Sequence, residues 1–218
     1  MKIRPIACAL AIALSGAAVQ ADEMNIADLP ATKAVDTTPR LAFGLMMKQG
    51  NRVLFAPCRD RSFADVEDVS PEGSLGPIFD SMGLSAGKRL YAELIGVLDN
   101  GVLKASSFNM LRVEGRCQMP GGKEEAWRAA GNDPAWALLL GGEYVQFQRY
   151  GQPEVTLPFT AVQMDGEVAQ YRVSEGGHNL AVRFEKRLCR DTQAKAVFAW
   201  TANVDLDGQT LTGCAWQR

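Results

Sequence analysis

Chemistry at neutral pH would have to start from one histidine, His178, which follows Gly176-Gly177. A Ser/His/Asp site needs such a base beside an activated hydroxyl, yet no Gly-x-Ser-x-Gly elbow occurs, so His178 reads as an exposed turn residue. Asp60, Asp191, Asp205 and Asp207 are the carboxylates to consider. Asp205 and Asp207 flank Leu206 next to Gly208, where aspartate is favoured for bonding its own backbone. Nucleophilic thiol chemistry needs a free thiolate, and the cysteines are expected to be oxidised. No catalytic residue, cofactor or metal ligand is therefore assigned, and the chain is expected not to be an enzyme.

The cysteines carry more. Cys58, Cys117, Cys189 and Cys214 follow an amino-terminal segment with the parts of a secretory signal: Lys2 and Arg4, an apolar run from Ile6 to Leu14, and small residues leading to Ala21. Cleavage is expected after Ala21. The apolar run is shorter than the roughly 20 residues that cross a bilayer. Ala17 stands where a lipoprotein box would need cysteine, so neither lipidation nor a stable membrane anchor is expected. The expected compartment is the oxidising periplasm. Four cysteines allow three connectivities; pairing Cys58 with Cys117 and Cys189 with Cys214 keeps each bridge within one half of the chain and is the expectation. A four-cysteine metal site would call for a short Cys-x-x-Cys knuckle, which is absent.

Losing residues 1–21 removes two bases and no acid, so the net charge moves from −2 to −4. The densest basic run, Arg183 to Arg190, is broken by Glu185, so the stripe expected of a nucleic-acid binder is missing and nucleic acid is not expected as a partner. Met46-Met47 offers soft thioethers that suit Cu(I), but neighbours in a strand point to opposite faces. Cys58-Arg59-Asp60 and Cys189-Arg190-Asp191 share a tripeptide, too short to establish a repeat.

These residues must be positioned by strands. Residues 22–39 are polar and read as a mobile leader. Arg40 onward gives two short strands about Gln49-Gly50-Asn51, a third from Ser62 to Glu67, and Leu75, Ile78, Phe79 and Met82 at helical spacing. A strand from Arg89 to Leu98, the Asp99-Asn100-Gly101 turn and a strand from Phe108 to Glu114 follow. Three strands, a helix and two strands is the order of the OB-fold, here over 40–117. Its aromatics Phe43, Phe55, Phe63 and Tyr91 read as core. Residues 118–131, with Pro120-Gly121-Gly122 and a helical turn around Glu124 to Ala130, read as a linker; Trp127 and Trp136 stand near the junction. From 132 to 218, strands at 136–140, 143–149, 154–162, 167–173, 179–185, 196–204 and 209–216 alternate with tight turns. They predict an antiparallel β meander or barrel. The class is mainly β: an OB-like five-stranded barrel with one helix, then an antiparallel β meander or barrel.

Gly131-Asn132-Asp133-Pro134-Ala135-Trp136, Val155-Thr156-Leu157-Pro158, Cys189-Arg190-Asp191-Thr192 and Leu211-Thr212-Gly213-Cys214-Ala215 resemble an uncharacterised family of bacterial envelope proteins and lipoproteins whose domain ends in Leu-x-Gly-Cys-Ala. Strand order and Phe55-Ala56-Pro57-Cys58 make the first half similar to the OB-like domain of NlpE-type envelope lipoproteins. Asp133 and Ala135 depart from the family's Glu and first aromatic, and Gln193-Ala194-Lys195 from its Met-Ser-Gly. The resemblance implies periplasmic location and an envelope role, without an activity. The expected function is a non-catalytic binding or interaction module for an envelope protein or cell-wall component. The alternatives are an inhibitor of a secreted hydrolase such as lysozyme, or a copper-handling or envelope-stress protein. The candidate interaction loops hold Ser174, Glu175 and His178 in one case, and Arg190, Asp191 and Lys195 in the other.

Overall fold

The computed structural model describes residues 37–113, 115–117 and 125–217; the signal segment and residues 22–36 of the leader lie outside them. Five strands come first: β1 (Arg40–Gln49), β2 (Arg52–Pro57), β3 (Ala64–Asp68), β4 (Leu90–Asp99) and β5 (Val102–Val113). They pair in the order β1-β2-β3-β5-β4 and back to β1, with β3 and β5 parallel and the other pairs antiparallel. This is a closed barrel with OB connectivity. Met46, Phe55, Leu90, Leu94, Leu103 and Leu111 fill it. The fifth strand starts six residues before Phe108, because Asn100 (φ 47°) and Gly101 (φ 82°) make the two-residue turn that matches strand twist and starts pairing at once.

Helix α1 (Leu75–Ser81) lies between β3 and β4, as the spacing of Leu75 and Phe79 predicts, and both side chains are buried. Its cap comes from the preceding strand. Asp68 Oδ2 accepts bonds from Leu75 N (3.1 Å) and Gly76 N (2.9 Å), and Oδ1 accepts one from Ser70 N (3.0 Å). Burial pushes the Asp68 carboxyl up, but the bonds from Ser70, Gly76 and Leu75 outweigh it and hold it below the ordinary value.

The remaining strands are β6 (Glu125–Asn132), β7 (Ala135–Gly141), β8 (Tyr144–Arg149), β9 (Val155–Pro158), β10 (Gln163–Asp165), β11 (Val168–Glu175), β12 (His178–Glu185), β13 (Cys189–Asp191), β14 (Ala196–Phe198), β15 (Trp200–Leu206) and β16 (Gln209–Gln217). Nine of them form one curled sheet, β10-β11-β12-β15-β16-β6-β7-β8-β9. Across the curl, the Tyr171 hydroxyl donates to the Pro158 carbonyl and Phe159 packs against the Tyr171 ring, centroids 5.1 Å apart. The interior is packed: Trp127 stacks on Phe184 (4.6 Å) and meets Trp200 edge-on (4.9 Å).

Two segments differ from expectation. Residues 125–131, read as the end of a linker with a helical turn, are strand β6, pairing with β7 and with the last strand, β16. Burial of Trp127 and Ala129 on one face overrides the helical propensity of Glu-Glu-Ala-Trp-Arg-Ala-Ala. The strand expected over 196–204 divides at Ala199. Residues before it pair with β5 of the barrel, residues after it with β12 and β16. The barrel and the curled sheet share one continuous apolar core.

Candidate functional site

The hairpin β13–β14 is the feature around which chemistry can gather. It arises from the second half of the chain yet joins the barrel sheet, with Ala196 opposite Arg112, Val197 opposite Leu111 and Phe198 opposite Met110. Ala196, Val197 and Phe198 are all buried, an unbroken apolar triplet that needs cover on both faces. Trp216 of β16 stacks on Phe198 at 4.9 Å. At the base of the hairpin Cys189 is bonded to Cys214, Cα atoms 5.4 Å apart, and Cys58 to Cys117, Cα atoms 5.5 Å apart. Both bridges were expected, but Cys189–Cys214 does not stay within one sheet: it fastens a strand of the barrel sheet to the curled sheet. Cys58, Cys189 and Cys214 belong to one apolar cluster with Tyr91, Met110 and Phe198.

The hairpin turn presents the predicted loop. Asp191 Oδ1 accepts the Ala194 amide at 2.8 Å, and Lys195 adopts φ +49°, the left-handed region that side chains with a Cβ rarely occupy. Arg190 donates to Ser81 Oγ at the end of α1, 3.2 Å away. Arg190 and Asp191 each line two open grooves. One, of about 310 Å³, also holds Asn132, Arg187, Asn203 and Thr212. The other, of about 290 Å³, adds Lys88, Thr192 and Lys195 above Met82 and Val197. Arg183 bonds Glu185 at 2.7 Å, and this contact, more than the charge of Arg187, holds the Glu185 carboxyl below the usual range.

The floor of the first groove is shaped from behind. A Cβ on Gly213 would lie 2.1 Å from the Ala130 carbonyl oxygen and 2.8 Å from Trp136, and one on Gly131 would lie 2.3 Å from Trp136 Nε1. Trp136 itself donates to the Thr212 carbonyl (3.2 Å). Trp136 and Trp127 are thus core side chains, 4% and 1% exposed.

The other predicted loop stands elsewhere. Ser174, Glu175 and His178 surround the β11–β12 turn, and Arg190 follows the opposite end of β12, about 23 Å along an eight-residue strand. The fold does not bring the two loops together. His178 Nδ1 meets Asp207 Oδ2 at 2.8 Å, and Asp207 Oδ1 accepts the Asn179 amide at 2.7 Å. The bond to His178, then that from Asn179, holds Asp207 below the usual carboxylate range. Among the described residues no hydroxyl or thiol bonds His178. The pair therefore lacks the nucleophile a triad requires and pins one hairpin turn to another.

The shared Cys-Arg-Asp tripeptides do the same local work. Asp60 accepts the Ser62 amide (2.8 Å) as Asp191 accepts that of Ala194, so each aspartate closes the turn after a bridged cysteine. Arg59 lies over the Phe43 ring, 5.2 Å from its centroid. Of the barrel aromatics, Phe55 and Tyr91 are buried and Phe63 is 62% exposed. Met46 lies in the barrel core, and among the described residues no group of three His, Cys, Asp or Glu could hold a metal ion. No helix among them is long and apolar enough to cross a membrane.

Sequence reasoning found Arg190, Asp191 and Lys195 but missed Lys88, Asn132, Arg187, Asn203 and Thr212. The alternation Thr201, Asn203, Asp205 and Thr210, Thr212 marks polar strand faces; which of them face one groove depends on register. Comparison with protein-family models, with curated proteins and with solved structures finds no match.

Proposed function

We propose that the chain is a non-catalytic binding module of the bacterial envelope, exported and oxidised in the periplasm, that engages its partner at the β13–β14 hairpin. The observation that carries this reading is the hairpin's construction. A disulfide at its base, an apolar triplet wedged against the barrel and a closed turn hold Arg190, Asp191 and Lys195 rigidly between two open grooves. Rigid presentation of charged side chains lowers the entropic cost of association. The two bridges fit an oxidising compartment, and the resemblance to envelope proteins agrees with it.

The test is crosslinking in intact cells from a photoreactive residue at Thr192 of the tagged mature protein, with capture under stringent washing. A single envelope component recovered at near-equal amount, and lost with Arg190→Ala, supports the reading. Turnover of an envelope substrate by the purified protein would refute it.

A second reading is favoured by the cations on the hairpin. Glycoside hydrolases work through a pair of carboxylates in a cleft, which Arg190 and Lys195 would pair with if the turn entered it. Undiminished lysozyme activity at excess protein would remove that reading.

A further inference from the structure

Strand register lines up one row of polar side chains across the outer face of the curled sheet. Gln170 is opposite Arg183, Arg183 opposite Asn203, and Asn203 opposite Thr212; the pairing of Cys214 with Ala130 sets Asn132 beside Thr212. Five strands at their usual spacing make the row about 19 Å long. Two open grooves that share Asn203 run along it, one of about 310 Å³ at Asn132 and Thr212 and one of about 180 Å³ bounded by Gln170, Arg172 and Asp205, and together they make a furrow.

The chemistry of the furrow selects a ligand. Among the described residues the side chains of Gln170, Asn203, Thr212 and Asn132 make no hydrogen bond within the protein, and amides and hydroxyls both donate and accept, as sugar hydroxyls do. The carboxylates nearby are engaged: Glu185 by Arg183, Asp205 by Gly208 N and Thr210 Oγ1, Asp191 by Ala194 N. Arg172 and Arg190, at the two ends, form no ion pair among the described residues. An extended peptide would dock on a sheet edge, where backbone groups are free, whereas the furrow crosses a sheet face whose backbone is already paired. Among the described residues no aromatic ring lines it to stack a base.

We infer that this furrow binds an extended carboxylated glycan, its hydroxyls bonded along the Gln170-to-Asn132 row and its carboxylates held at the ends by Arg172 and Arg190. Guanidinium is suited to planar, bidentate capture of carboxylate. The inference rests on the binding-module reading and specifies its ligand.

Titration of the full mature chain with a fluorescent uronate hexasaccharide, its carboxyl-reduced counterpart and polyphosphate tests it. The uronate is expected to bind. Carboxyl reduction is expected to weaken binding about tenfold, and Asn203→Ala about fivefold with unchanged thermal melting, in line with lost charged and neutral hydrogen bonds. Arg172→Ala should flatten the salt dependence. Absence of uronate binding overturns the inference, as does polyphosphate binding equally well with Asn203→Ala silent. If the uronate fails while crosslinking from Thr192 still captures a partner that Arg190→Ala abolishes, the glycan is wrong and the binding module stands; failure of both removes both.

Discussion

The side-chain amide of Asn109 bonds both backbone groups of Gln217, accepting from its N–H (2.9 Å) and donating to its carbonyl (2.7 Å), as a neighbouring strand would. Asn109 can do this because it is the extra residue at a bulge: Glu93 pairs with Met110 and Leu94 with Phe108. Its side-chain amide also donates to Glu93 Oε2 (2.6 Å), and its backbone carbonyl accepts the Ala199 amide (3.1 Å). One barrel residue thus holds both the sheet switch at Ala199 and the end of the last strand.

Asn109→Ala should therefore destabilise the protein by about 2–3 kcal/mol, since it deprives the buried Glu93 side chain of one donor and opens the Gln217 pair. Urea unfolding measures it; a loss under about 0.5 kcal/mol, the level of an ordinary surface change, would show the link to be dispensable.

Removing the bridge with Cys189→Ala and Cys214→Ala should cost about 3.5 kcal/mol in the chain-entropy model for a sequence separation of 25. Hydrogen exchange should rise first at Ala196 to Phe198, whose hairpin partner β13 the bridge ties to β16. Equal acceleration throughout the chain would argue against a local role.

Gly213→Ala should be poorly tolerated. Its Cβ meets a backbone carbonyl rather than a movable side chain, so β16 must shift from β6, at a cost of about 1–3 kcal/mol. Thermal melting checks the loss, and hydrogen exchange along β16 and β6 its location.

Stability should fall in acid partly through Asp68. Its folded value lies below the ordinary 3.8, so the unfolded chain takes up its proton first. The contribution is complete above the unfolded value and is lost as pH falls through the folded one. Asp207, depressed by its bond to His178, acts in the same direction. Asp68→Asn should lower the urea midpoint at pH 7 and flatten its decline below about pH 4. An unchanged pH profile would mean that the cap contributes nothing to acid sensitivity.

Much of the architecture was legible. Period-two alternation and Gly-containing turns located most strands, the helical spacing of Leu75 and Phe79 located α1, and strand order alone pointed to the OB barrel. Both bridges followed from keeping each within its half. β6 was not legible, because its residues favour helix locally and only pairing with β16, as Ala130 with Cys214 and Trp127 with Gln217, makes them a strand. Nor was the departure of Ala196–Phe198 to the barrel, since an apolar triplet looks the same in either sheet.

The sequence by itself determined which side chains alternate and where the chain turns, because these depend on neighbours a few residues apart. Tertiary structure alone decided that Arg190 lies between two grooves, that His178 lies at the far end of β12, and that Gln170, Arg183, Asn203, Thr212 and Asn132 share one row. Those relations are set by strand register and by the switch of sheet at Ala199. Both are decided where apolar faces from distant segments exclude water together, and no local pattern encodes that outcome.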